Sequence, residues 1–140
     1  MEIPIARARS LFAAARVARL ATADADGRPH LVPVTFVVEG ESVHFAVDAK
    51  PKRTQQLRRL RNIEANPRVS LLVDEYDEDW ERLWWVRADG VARIHHDGHA
   101  RVVDLLRAKY PQYAAIEVGR GPVVEIAVER WSGWRSSALG

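Results

Sequence analysis

Six cationic side chains crowd into twelve residues of this 140-residue chain: Lys50, Lys52, Arg53, Arg58, Arg59 and Arg61. They follow a strand-like run, Val43-His-Phe-Ala-Val47, and lie where a helix-like run begins. Open backbone N–H groups at a helix start, with ammonium and guanidinium groups beside them, can hold a phosphate or carboxylate. The formal net charge of the whole chain is only +2, so the concentration is local. A solvated basic helix face has the same composition, and charge alone leaves both readings open.

Other constellations carry less chemistry. His95, His96 and His99 cluster in His-His-Asp-Gly-His, in a turn region without a clear further ligand, so an exposed turn is the better reading than a metal site. The acidic stretch Asp74 to Asp79 lacks the glycine and spacing of a calcium loop. The chain has no cysteine, which removes thiolate metal ligands, a thiol nucleophile and disulfides. No Ser-His-Asp pattern or glycine-rich phosphate loop stands out, and no catalytic residue is assigned.

Hydrophobic spacing supplies the elements that must position the basic run. Residues 4–15 read as a helix with Ile5, Ala8, Leu11, Phe12 and Ala15 on one face. Residues 17–22, 30–38 and 43–47 read as three strands of a meander. Their joints are the turn residues Asp24-Ala-Asp-Gly27 and Glu39-Gly-Glu-Ser42. Pro33 cannot donate to a ladder, which places it at an edge or a bulge. After the basic run, Leu57, Leu60 and Ile63 recur at helical spacing up to Asn66-Pro67. Strands follow at 68–73 and 83–94, with Gly90 marking a bulge or a close backbone approach. A helix over 98–110 is stopped by Pro111, and a sixth strand spans 123–131 before a short aromatic tail. Trp84, Trp85, Trp131 and Trp134 read as core or interface residues, Trp134 being the best placed to reach a site.

This is one domain over residues 1–140: mainly β (α+β), a six-or-more-stranded antiparallel barrel, closed or split, with flanking helices. So small a barrel has no room inside for a large ligand, which must lie outside, against a helix or between two subunits. No apolar run approaches the ~20 residues that cross a bilayer. Arg7, Arg9 and Arg16 interrupt the alanine-rich start, which argues against a secretion signal and for a cytoplasmic protein. Aromatic residues are not interleaved with the basic run as single-strand readers require, which argues against nucleic acid.

Four blocks carry a family likeness: Arg19-Leu-Ala-Thr-Ala-Asp-Ala-Asp-Gly-Arg-Pro-His-Leu-Val-Pro-Val-Thr35, Lys50-Pro-Lys-Arg-Thr54, Asn66-Pro-Arg-Val-Ser-Leu-Leu-Val73 and Trp84-Trp-Val-Arg-Ala-Asp-Gly90. In order and spacing they resemble the pyridoxamine 5′-phosphate oxidase-like split β-barrel superfamily, and within it an actinobacterial branch that uses the deazaflavin coenzyme F420 rather than FMN. The resemblance implies a homodimer with cofactor sites at the subunit interface and a small-molecule substrate. It implies an oxidoreductase passing a hydride between the deazaflavin and a small organic acceptor. An FMN-binding flavoprotein and a non-catalytic F420 carrier are the alternatives. Carried onto this chain, it makes Lys50, Lys52, Arg53 and Thr54 phosphate candidates with Gln56 as a polar neighbour. Val32, Pro33, Val34 and Thr35 would line the ring, and Trp80 would cover it or reach the partner's site. Arg58 or Arg61 would lie near the acidic tail of the deazaflavin, or form a solvated face.

Overall fold

Period-two burial organises the molecule. The computed structural model describes residues 1–47, 54–115 and 121–136. Seven antiparallel strands form one sheet: β1 (Ala18–Ala23), β2 (Pro29–Val34), β3 (Val37–Glu39), β4 (Ser42–Ala46), β5 (Arg68–Glu75), β6 (Trp84–His95) and β7 (Val123–Arg135). Their spatial order is β2-β1-β5-β6-β7-β4-β3. Three helices flank them, α1 (Ile5–Ala14), α2 (Thr54–Ala65) and α3 (Ala100–Lys109). The mainly-β split barrel expected from the sequence is the fold observed. Among the described residues no helix is long and apolar enough to cross a membrane.

Alternate residues of β1, β5, β6, β7 and β4 point into one core, where Leu20, Leu71, Val86, Ile126 and Phe45 are almost fully buried. Burying each such side chain stabilises the fold by roughly 1.5–3 kcal/mol. Helix α1 closes this core with Ala8 and Phe12, and the Phe12 ring meets Phe36 at 5.0 Å and Trp131 at 5.3 Å. Ile5, assigned to the same apolar face, is 63% exposed, whereas Ala8 and Phe12 are fully buried. A second core lies between α3 and β3–β4–β7, built from Val37, Val102, Val103, Leu106, Tyr110 and Val123.

The expected strand over 30–38 is two strands, not one, and the expected three-strand meander is broken. Residues 29–34 pair with β1 at one edge of the sheet, whereas 37–39 pair with β4 at the other. Thr35 and Phe36 carry the chain between the two edges. The cause is Phe36. Its ring is fully buried, and its backbone is held by side chains instead of a ladder. Its N–H donates to the Tyr110 hydroxyl at 3.2 Å, and its carbonyl accepts from Lys109 Nζ at 3.0 Å. Pro33 sits in the edge strand β2, as its missing donor requires.

Gly90 meets both expectations made of it. The β6–β7 register slips there, Asp89 facing Arg130 and Gly90 facing Val128, so Glu129 is the extra residue of a bulge. A Cβ at Gly90 would lie 2.2 Å from the Ala127 carbonyl oxygen. Strand β7 runs on through the expected tail to Arg135, because Ser132 to Arg135 pair with Arg87 to Trp84 of β6, and the N-terminus lies along its other side, where the Ile3 N–H donates to the Gly133 carbonyl at 3.0 Å.

Candidate functional site

Strand β2 alternates Pro29, Leu31 and Pro33 outward with His30, Val32 and Val34 inward. Residues 32–35 therefore do not present one continuous lining. Val34 belongs to the core and Val32 packs against it, while Pro33 faces the opposite side. The Thr35 hydroxyl is hydrogen-bonded to the Tyr113 hydroxyl in the 3-10 turn Pro111–Ala115. Thr54 and Gln56 stand in the first turn of α2. Lys50, Lys52 and Arg53 lie outside the described residues.

Helix α2 has one face turned to the barrel end. Asn62 and Ile63 are buried, and Asn62 Nδ2 donates to the Thr22 hydroxyl of β1 at 3.0 Å, both groups out of solvent. Arg59 is three residues before Asn62 and four before Ile63, hence on the same face. Its guanidinium lies 5.6 Å from the centre of the Phe45 ring of β4. It also acts electrostatically on His30 of β2. Arg59 thus spans the gap between β2 and β4, two strands that the sheet order places far apart.

This corner is positive and short of acceptors. Arg59 is half-buried, it takes part in no ion pair among the described residues, and its Nε is out of solvent without an acceptor. Burial pulls its pKa down, although a guanidinium stays charged. The His30 pKa falls below the ordinary histidine value, first through burial and then through the charges of Arg58 and Arg59. His30 Nδ1 is likewise out of solvent without a partner. Asp24, in the β1–β2 turn, holds its carboxyl below the usual range through the Arg28 N–H. A buried cation costs free energy unless an anion meets it. A phosphate or carboxylate entering this corner would satisfy Arg59 and accept from His30.

Two more features frame the site. The outward faces of β2, β1, β5 and β6 carry a cleft of about 720 Å³ containing Leu31, Leu72, Trp85, Trp134, Arg19 and Arg87. Leu31 is 67% exposed, and Trp134, the tryptophan judged best placed to reach a site, lines the cleft. Trp80 is 66% exposed and donates from Nε1 to the Tyr76 hydroxyl at 3.4 Å. His95 pairs with Glu125 at 2.8 Å, and among the described residues no three side chains converge to hold a metal ion.

His30 and Arg59 are the residues that sequence reasoning missed or set aside. Both signals were available: the strand period links His30 to Val32, and the helix period links Arg59 to Ile63.

The fold and this corner define a class. A model of the pyridoxamine 5′-phosphate oxidase family matches residues 5–135, and the chain belongs to that family. Among solved structures it is similar to a conserved hypothetical protein of Mycobacterium tuberculosis, Rv2991, with a TM-score of 0.78 and 25% identity over 99% of this chain and 88% of that one. It is similar to a FAD-binding protein of Mesorhizobium loti, with a TM-score of 0.76 and 25% identity over 95% of each chain. An F420 reductase shares the fold, with a TM-score of 0.62 and 21% identity over 88% of this chain and 94% of that one. No curated protein matches the chain.

Proposed function

We propose that this chain is a homodimeric oxidoreductase that binds a phosphate-bearing cofactor of the flavin type at the β2–α2 corner, and that the cofactor is coenzyme F420. The observation that carries the proposal is Arg59, a half-buried guanidinium without a counter-ion among the described residues, aimed between β2 and β4. The family membership and the resemblance to a FAD-binding protein and an F420 reductase support a flavin-type ligand. The density of cations at 50–61 favours the deazaflavin over FMN, because its phosphodiester, carboxylate and oligoglutamyl tail carry more negative charge.

The cofactor supplies hydride transfer; the protein binds and orients it. In this reading Arg59 and His30 hold the phosphate together with Lys50, Lys52 and Arg53 of the preceding segment and Thr54 at the start of α2, with Gln56 beside them. Arg58 and Arg61 follow the acidic tail. Val32 supports the ring from inside the barrel edge. The outward cleft faces a second copy of the chain, whose Trp80 covers the site.

Titration of the cofactor-free protein with FMN and with the deazaflavin, followed by ring fluorescence, tests this. Micromolar or tighter deazaflavin binding is expected, lost in Arg59→Ala and in the Lys52→Ala/Arg53→Ala pair. Tight FMN binding without deazaflavin binding would establish the flavoprotein alternative. Turnover with a panel of electron acceptors separates an enzyme from a carrier.

A further inference from the structure

Lysine is scarce in this chain, which holds three lysines, Lys50, Lys52 and Lys109, against eighteen arginines. Lys109 closes α3 and is half-buried where α1, α3 and the passage from β2 to β3 meet. Its Nζ donates to the carbonyls of Ala13 and Phe36, at 3.1 and 3.0 Å, and lies 3.9 Å from the centre of the Phe36 ring. Those two bonds need two N–H groups. An unprotonated amine supplies both and keeps its electron pair.

The surroundings favour that uncharged form. Neither Lys109 nor Arg16 enters an ion pair among the described residues. Arg16 Nη2 donates to the Lys109 carbonyl at 2.8 Å, and the Arg16 guanidinium lies 4.6 Å from the centre of the Tyr110 ring. Lys109 Nζ approaches the same ring to 5.2 Å. Two cations thus share one aromatic side chain. Burial first, and Arg16 second, bring the Lys109 amine down to about 8.

A lysine that sheds its proton near neutral pH is a nucleophile. Arg16 beside it is exposed, and a guanidinium holds a phosphate through two parallel N–H···O bonds. The electrophile that suits this pair carries an acyl carbon and a phosphate one bond apart. We propose that Lys109 is a self-acylation site for small acyl phosphates, with Arg16 holding the phosphate. The Nζ electron pair adds to the acyl carbon, the bond from that carbon to the phosphate oxygen breaks, and inorganic phosphate leaves. The proton lost from nitrogen passes to solvent, and the new Nζ–C bond is an amide. An amide has one N–H and no charge, so one of the two carbonyls loses its donor. Phe36 is held between β2 and β3 by such side-chain bonds, and acylation therefore loosens the passage between the two sheet edges.

Labelling the intact chain with acetyl phosphate, followed by peptide mass spectrometry, tests this. Lys50 and Lys52 are the internal references. At pH 7 an amine at about 8 is unprotonated roughly 200 times more often than an ordinary lysine near 10.4. Allowing for crowding, Lys109 should be acetylated about tenfold faster than either reference, an advantage that fades as the pH approaches 10. Labelling of Lys109 no faster than that of Lys50 and Lys52 overturns the proposal. Added inorganic phosphate should slow the labelling of Lys109. Arg16→Gln, checked for folding by circular dichroism, should slow labelling by acetyl phosphate far more than labelling by p-nitrophenyl acetate, an acyl donor without a phosphate. Equal slowing with both donors overturns the phosphate role of Arg16, which then acts only through its charge on the amine.

Discussion

Helices α2 and α3 both lay polar side chains against the sheet, and they differ in the charge they leave unmet. Against α3 most polar groups are matched, although the buried Nδ1 atoms of His44 and His99 find no partner. His95 and Ser42 reach the two oxygens of Glu125, at 2.8 and 3.5 Å, and Arg101 pairs with Glu39 at 2.7 Å. Lys109 donates to the carbonyls of Ala13 and Phe36 over the Phe36 ring. Against α2, among the described residues, the Asn62–Thr22 bond is complete, while Arg59 and His30 are left with buried nitrogens unsatisfied. Unsatisfied buried groups cost stability, so a fold keeps them where a ligand completes them. The unmatched groups near α3 are imidazoles, whereas the α2 side also strands a guanidinium, which stays charged, and that unmet charge distinguishes the α2 side as the candidate site.

The comparison breaks most directly at Arg59. Arg59→Ala should lower cofactor affinity about 100-fold, close to 2.7 kcal/mol, yet leave the melting temperature of the cofactor-free protein unchanged or higher. Calorimetry with and without cofactor checks this, and a large loss of stability without cofactor would class Arg59 with the α3 groups. Asn62→Ala should do the reverse. It strands the buried Thr22 hydroxyl and should cost roughly 1–3 kcal/mol in urea unfolding.

The α3 side can be probed by pH. Burial, with Arg16 nearby, brings the Lys109 pKa down to about 8. Between about 8 and the ordinary lysine value near 10.4 the unfolded chain therefore holds a proton that the folded chain has released. Stability should rise with pH across that window, by roughly 1 kcal/mol once solvent screening at a half-buried amine is counted. Denaturant midpoints for wild type and Lys109→Met check it, the variant being flat. The smallest effect is expected for Arg101→Ala. Its ion pair with Glu39 has an arginine side chain 80% exposed, so the loss should stay within about 0.5 kcal/mol.

Much of the fold was legible because its punctuation is local. Gly27 and Gly40 take the positive φ that their turns require, at 80° and 60°. Asn66-Pro67 ends α2 and Pro111 follows α3. The break at Thr35–Phe36 was not legible, because the groups that hold it, Lys109, Tyr110 and Tyr113, come more than 70 residues later. The site was half legible. The basic run drew attention to the junction that leads into α2, but which arginine turns inward depends on the buried Asn62–Thr22 contact between α2 and β1.

The two-residue passage between β2 and β3 also bears on how the chain is made. It hands the chain from one edge of the sheet to the other before most of the sheet exists. Strand β4, which begins six residues beyond Phe36, pairs with β7, whose residues arrive about 80 positions later. Hairpins β1–β2 and β3–β4 can form early, but the ends of the barrel cannot meet until residues 123–135 are available. Sequence-distant pairing of this kind makes for a slow final step. Until then β4 keeps an unpaired edge, a risk of wrong association during synthesis. Rapid release of the finished C-terminal strand should therefore matter more to the yield of native protein than any single contact in the core.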